Sequence, residues 1–204
     1  SLPDKRRGRN SHIAMADFGL AGFSVFFMQS PSFLAHQEHL ARDRGRSNCQ
    51  TLFGMGKIPS DNQVRAMLDP VAPERFDPEF GTIMAALQRS GGLTGFRRLS
   101  NRFLVALDGT EYFCSNKLHC EQCSTRARGG THEYFHAMLA PAIVAPGHSR
   151  VVPLEPEFIV PQDGHDKQDC ESQAARRWLA SHGRRYAQLG AVFLGDDLFS
   201  RQPI

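Results

Sequence analysis

The stretch FLVALDGTEYF, residues 103–113, decides how the rest of the chain is read. Residues 103–107 are an apolar run that ends on a lone carboxylate, Asp108, and Gly109-Thr110 then break the pattern. A buried strand that delivers one acid to its carboxyl end suits a metal site in an α/β sheet, because ligands gather beyond those ends. Residues 191–194, AVFL, repeat the arrangement, with Gly195, Asp196 and Asp197 following. Asp196 is preferred to Asp197 because it directly follows the strand and Gly195.

Working outward, the segments 103–107, 132–144 and 151–160 read as three strands. Pro153 and Pro156 lie in the third. Proline cannot donate to a ladder, so that strand belongs at a sheet edge. Residues 169–182 read as a helix whose shared face is Ala174, Ala175, Trp178 and Leu179, with Gly183 ending it; 191–194 is the fourth strand. The order is β-β-β-α-β. An edge third strand and a helical crossover set the first and fourth strands side by side and parallel, with Asp108 and Asp196 at the same end.

Upstream, residues 1–12 form a basic, flexible arm, and 13–90 read as all-helical. Residues 13–28 are apolar on nearly all sides and Ser30-Pro31 stops them; 33–42 follow as a second helix. Ser60 and Gln63 have capping-box spacing, Asp77-Pro78 starts a further helix, and Gly91-Gly92 ends it. Residues 91–102 read as a linker. The fold class is therefore α+β or α/β, a helical bundle followed by a mixed sheet.

At 204 residues, 41% apolar and 22% charged, the chain can bury a real core and has the composition of a globular protein. The net charge of +3 is unevenly placed: 14 Lys/Arg against 9 Asp/Glu in residues 1–102, and 10 against 12 in 103–204. A basic front and an acid-bearing back suit a polyanion-binding part joined to a metal-binding part. Lys5, Arg6, Arg7 and Arg9 in the arm and Arg42, Arg44 and Arg46 after the second helix are candidates to lie along phosphates. Five cysteines in a chain of this size argue against a disulfide framework and for a reducing, cytoplasmic setting. Lys5-Arg6-Arg7 ahead of the apolar run 18–28 imitates a secretory signal. Asp17 interrupts it, no small-x-small cleavage site follows, and the run is too short to span a bilayer, so no membrane association is expected.

Two carboxylates at adjacent strand ends repel when both are ionised, and Mg²⁺ or Mn²⁺ removes that penalty. Such a site can activate a water or a 3′-hydroxyl and stabilise the leaving oxygen of a phosphodiester. Glu171, in the first turn of the helix before the fourth strand, is a further candidate acid; its position also suits the helix dipole.

The segment between the first two strands, 114–131, carries Cys120-Glu121-Gln122-Cys123, and His132 and His136 follow. C-x2-C-x8-H-x3-H offers two thiolates and two imidazoles to one Zn²⁺, with His119 and Cys114 as spare candidates. The alternative is buried free cysteines and core histidines. Arg126 and Arg128 lie in the enclosed loop, as in a pinned basic hairpin that touches nucleic acid.

On the segments VALDGT (105–110), HCEQC (119–123), HEYFHAML (132–139), QDGHDKQDCE (162–171) and LGDDLFSRQP (194–203), the chain resembles the N-terminal portion of a bacterial insertion-sequence transposase of the DDE type. The resemblance covers nearly the whole chain. It implies an incomplete ribonuclease H-like catalytic domain over 103–204. The first catalytic Asp maps onto Asp108 and the second onto Asp196, with the family's following aromatic at Phe199. The family's third acid, a Glu, belongs on a helix downstream of the second Asp, beyond Ile204. The expectation is therefore a fragment or a truncated element. Glu171 takes a place that resembles the helix carboxylate of ribonuclease H enzymes. The resemblance further implies double-stranded DNA as partner, both terminal inverted repeats and target. It also implies a homodimer, a bacterial nucleoid setting, and cleavage followed by strand transfer. Two alternatives stand beside it: a ribonuclease H-like nuclease using Asp108, Glu171 and Asp196, and a non-catalytic DNA-binding or dimerising regulator.

Overall fold

The computed structural model describes residues 2–6, 12–41, 48–161 and 170–196. The chain divides into two compact units, Ser1–Pro78 and Glu79–Ile204. No helix among the described residues is long and apolar enough to cross a membrane.

The first unit is helical: α1 (Met15–Phe27), α2 (Phe33–Ala41), α3 (Asn48–Thr51) and α4 (Asp61–Leu68). Its core gathers Phe18, Ala21, Leu40, Cys49, Met55 and Val64. The Ser60 capping box is present in full: Ser60 Oγ accepts from the Gln63 amide and Gln63 Oε1 from the Ser60 amide. A buried polar link ties α1 to α2. The Ser24 hydroxyl donates to the Ala21 carbonyl, so His36 Nε2–H donates to Ser24 at 2.7 Å, and Nδ1 accepts from Ser30 at 2.9 Å. Burial, then the neighbouring His39, lowers the His36 pKa and keeps the ring neutral. Not all of the arm is free: Leu2 packs against this core, and Arg6 bonds Asp4 and the Ile13 carbonyl while lying over the Phe18 ring.

Helix α5 (Asp77–Arg89) follows directly on a 3₁₀ turn, Pro73–Phe76, so Asp77 is its first residue rather than its cap. The division at Pro78 places nearly all of α5 in the second unit, whereas the sequence assigns it to the helical region 13–90. The physical reason is its apolar face: Met84 and Leu87 pack with the residues of the sheet. Residues 91–102 are likewise no linker. Leu93 and Phe96 are buried in the same core, and β1 (Arg97–Arg98) pairs with β2 (Arg102–Ala106).

The second unit is mixed α+β. After β2 come β3 (Gly109–Ser115), β4 (Ser124–Arg128), β5 (Thr131–Leu139), β6 (Ala142–Val144), β7 (Val152–Pro153) and β8 (Glu157–Ile159); then α6 (Glu171–Trp178), α7 (Arg184–Gln188) and β9 (Ala191–Leu194). One sheet runs β1-β2-β6-β7 with β9 on β2; the other runs β3-β5-β4 with β8 on β5. These are two halves of one meander. The chain breaks pairing at Leu107-Asp108, Ala140-Pro141 and Leu154–Pro156, and the breaks lie side by side. Ala140 N donates to Asp108 O at 2.8 Å, and Leu154 N to Pro141 O at 2.9 Å. Two of the three breaks carry proline, which has no amide to donate.

The parallel first and last strands and the edge position of the third agree with the reading from sequence, but β3 and β4 occupy what reads there as a break at Gly109-Thr110 and an insert at 114–131, and two sheets stand in place of one. Among the described residues, β7 and β8 pair with β6 and β5 alone, as an edge. β9 lies parallel to β2, with Phe103 opposite Ala191 and Ala106 opposite Leu194. The crossover helix is longer than its sequence pattern. Gly183 does not stop it: a π-helical turn, Leu179–Gly183, carries α6 into α7, and the chain turns at Gly190, φ +84°. Trp178, fully buried, stacks on Tyr186 at 5.5 Å and 11°.

Candidate functional site

The crease between the two sheets positions the first acid. Leu107 N donates to Leu194 O at 2.8 Å, extending the β2–β9 register past its last paired residues. Asp108 and Asp196 each follow the last registered pair, Ala106 and Leu194, by two residues. Both acids are exposed. Helix α6 brings in the third. Glu171 opens it, half-buried, and its Oε1 accepts from the Gly109 amide at 3.0 Å. Gly109 is required by that approach: a Cβ there would stand 2.5 Å from Glu171 Oε2. Burial first, and then the charges of Asp108 and Asp196, push the Glu171 carboxyl above its ordinary pKa, against the lowering effect of the Gly109 bond. Glu171 therefore senses the charges of both aspartates.

The Cys/His segment forms a second cluster. Cys120 Sγ lies 3.8 Å from Cys123 Sγ, and each sulfur lies 3.3 Å from His136 Nε2. These three could hold a metal ion: among the described residues, theirs is the group whose ligand atoms all lie within 4.8 Å of one another. By that measure Asp108, Glu171 and Asp196 do not close into a group. A bulge between Glu111 and Phe113 explains the orientation of His136. The extra residue turns both Tyr112 and Phe113 toward its ring, each centroid 5.6 Å away. Burial lowers the His136 pKa and favours neutral imidazole, and it raises that of the Cys123 thiol, as does the neighbouring Cys120 side chain.

His132 does not join this cluster. It lies on the same face of β5 as His136, but four residues along a strand is about 13 Å, too far to share an ion. Its ring meets Tyr134 instead, which His119 also stacks on at 4.4 Å. Cys114 pairs with Phe135, on the opposite face from His136.

The basic candidates divide. The hairpin expected around Arg126 and Arg128 is there, closed by Gly129 and Gly130, both at positive φ, as its two-residue turn demands. Arg126, however, pairs with Glu133 at 2.8 Å and Glu111 at 2.9 Å, so its charge is matched within the sheet. Arg128 is exposed at the hairpin end and Lys5 borders a groove with Pro3, Met67 and Val71. Arg7, Arg9, Arg42, Arg44, Arg46, Asp197, Phe199 and the run 162–169 lie outside the described residues.

Sequence reasoning missed one polar cluster. Glu155, wholly buried, accepts from Tyr186 Oη at 2.7 Å and from the Arg185 guanidinium, and Trp178 Nε1 donates to its carbonyl at 2.7 Å. Its one sequence signal is a carboxylate set between Leu154 and Pro156. Comparison with family models, with curated proteins and with solved structures returned no match.

Proposed function

We propose that the second unit is the phosphodiester-cutting part of a DDE-type DNA transposase, built on a ribonuclease H-like core. The observation that carries this reading is the parallel pairing of β2 with β9, whose last registered pair, Ala106 and Leu194, precedes Asp108 and Asp196 by two residues each, together with the bond from the Gly109 amide to Glu171. The edge–middle–first–last strand order with a helical crossover supports it. Asp108 and Asp196 would hold Mg²⁺ or Mn²⁺, which supplies activation of the attacking oxygen and stabilisation of the leaving one. Glu171 would stand beside that ion, its Oε1 held by the Gly109 amide. The helical unit would engage terminal inverted repeats or a second copy of the chain. Cys120, Cys123 and His136 would hold Zn²⁺ at the base of the β4–β5 hairpin.

The position of Glu171 also favours a second reading, a nuclease complete with Asp108, Glu171 and Asp196. One assay addresses both: nicking of supercoiled DNA by the chain with Mn²⁺, beside Asp108→Asn and Glu171→Gln. Metal-dependent nicking lost in Asp108→Asn supports the site. Equal loss in Glu171→Gln favours the nuclease. Nicking retained in Asp108→Asn refutes the site, and salt-sensitive DNA binding without nicking favours a non-catalytic regulator.

A further inference from the structure

The three ligand atoms of the Cys/His cluster carry more geometry than a general capacity to bind metal. Tetrahedral zinc, with Zn–S about 2.3 Å and Zn–N about 2.05 Å, sets its ligand atoms about 3.8 Å apart for two sulfurs and about 3.6 Å for sulfur and nitrogen. The observed separations are 3.8 Å and, twice, 3.3 Å. Two sulfurs and one nitrogen therefore occupy three corners of a tetrahedron of zinc size.

No fourth protein corner is in place among the described residues. His132 is about 13 Å along β5 from His136. The His119 ring stacks on Tyr134, and its Nδ1 lies 3.3 Å from the Lys117 carbonyl. Cys114 is on the other face of β3, where its sulfur accepts from Arg126 at 3.8 Å. Cys120 is exposed, and the Tyr112 ring that covers His136 is itself 51% exposed, so the centre meets solvent. Three protein ligands with an accessible fourth position is the pattern of zinc sites that exchange a ligand, whereas purely structural sites are closed by four.

We infer that Cys120, Cys123 and His136 form a three-ligand zinc centre whose fourth position takes a small exogenous donor, a water replaceable by imidazole or azide. The inference rests on the zinc assignment and is independent of the carboxylate site. Zinc uptake displaces the two thiol protons to solvent. His136 is fixed by its aromatic neighbours, so the exchanging ligand is the exogenous one.

Cobalt(II) substitution of the whole chain tests this. One equivalent should give the intense visible bands of tetrahedral cobalt and a thiolate-to-cobalt charge-transfer band. Imidazole, and separately azide, should shift those bands saturably. His136→Ala should weaken cobalt binding by more than the roughly 10–100-fold typical of an outer-shell change. His132→Ala and His119→Ala should leave both binding and the imidazole response within about twofold. Bands that imidazole and azide do not move, and that His119→Ala or His132→Ala abolishes, would show a closed site and overturn the open position while leaving the metal assignment standing. Absence of tetrahedral bands in the unaltered chain would overturn both. The imidazole titration uses the unaltered protein, so the outcome does not depend on how any variant folds.

Discussion

Replacing Gly109 by alanine adds a methyl group where Glu171 makes its closest approach. The new Cβ would lie 2.5 Å from Oε2, 2.7 Å from Cδ and 3.2 Å from Cγ of Glu171. The glutamate must swing away and give up the 3.0 Å bond from the Gly109 amide. A hydrogen bond to a charged group contributes about 1.5–3 kcal/mol, and the lower end applies because Glu171 is half-exposed. Alanine in place of glycine where the backbone permits it returns about 0.4–1 kcal/mol through the unfolded chain. Gly109→Ala should therefore cost about 1 kcal/mol in the unaltered protein and gain about 0.5 kcal/mol in a Glu171→Ala background. The cycle coupling is about 1.5 kcal/mol, read by urea unfolding of the four proteins. A coupling below about 0.5 kcal/mol, the level expected of independent sites, would refute the claim that Gly109 holds Glu171 at the acid cluster.

Glu171→Gln should make the metal-free protein more stable at neutral pH. The raised carboxyl is penalised only where it is ionised, so the gain should fade as pH falls through the raised value and be gone once pH is below the ordinary carboxylate value; no gain at pH 7 would count against the neighbouring charges. Glu155 should behave in the opposite sense. Burial raises its pKa, but the Tyr186 hydroxyl and Arg185 outweigh that and hold it below the ordinary value. Its contribution is therefore full above the ordinary carboxylate range and lost as pH falls through the lowered value. Glu155→Gln should cost about 1–3 kcal/mol at pH 7 and flatten the acid limb of the stability curve; an unchanged slope would contradict this. Ser60→Ala should lower the stability of the helical unit by about 1 kcal/mol in thermal unfolding, and no change would mean that α4 does not depend on its cap.

The elements that define the sheet were legible because their signals are local. Apolar runs ending in Asp, prolines marking an edge strand and one helix between strands sufficed to pair β2 with β9. What escaped were features set by tertiary context. Gly183 has the look of a helix stop, yet packing of Trp178 on Tyr186 carries the helix on through a π turn. Residues 91–102 have the polarity of a linker, but two of their apolar side chains, Leu93 and Phe96, reach the core. His132 and His136 share a face at strand or helix spacing alike, so periodicity alone did not reveal that a strand holds them about 13 Å apart. The ion pairs of Arg126 join three strands, and one-dimensional charge counting saw only a basic loop. The Glu155 network joins residues 30 and 31 positions apart, beyond any window of pattern reading.

The central claim is that Asp108 and Asp196 act as one site. Calorimetric titration of Mg²⁺ and Mn²⁺ into the chain, beside the Asp108→Asn/Asp196→Asn double variant, tests it directly. Saturable binding by the unaltered chain that vanishes in the double variant is the expected result. Equal binding by both proteins would show that the two aspartates do not form the metal site and would contradict the account.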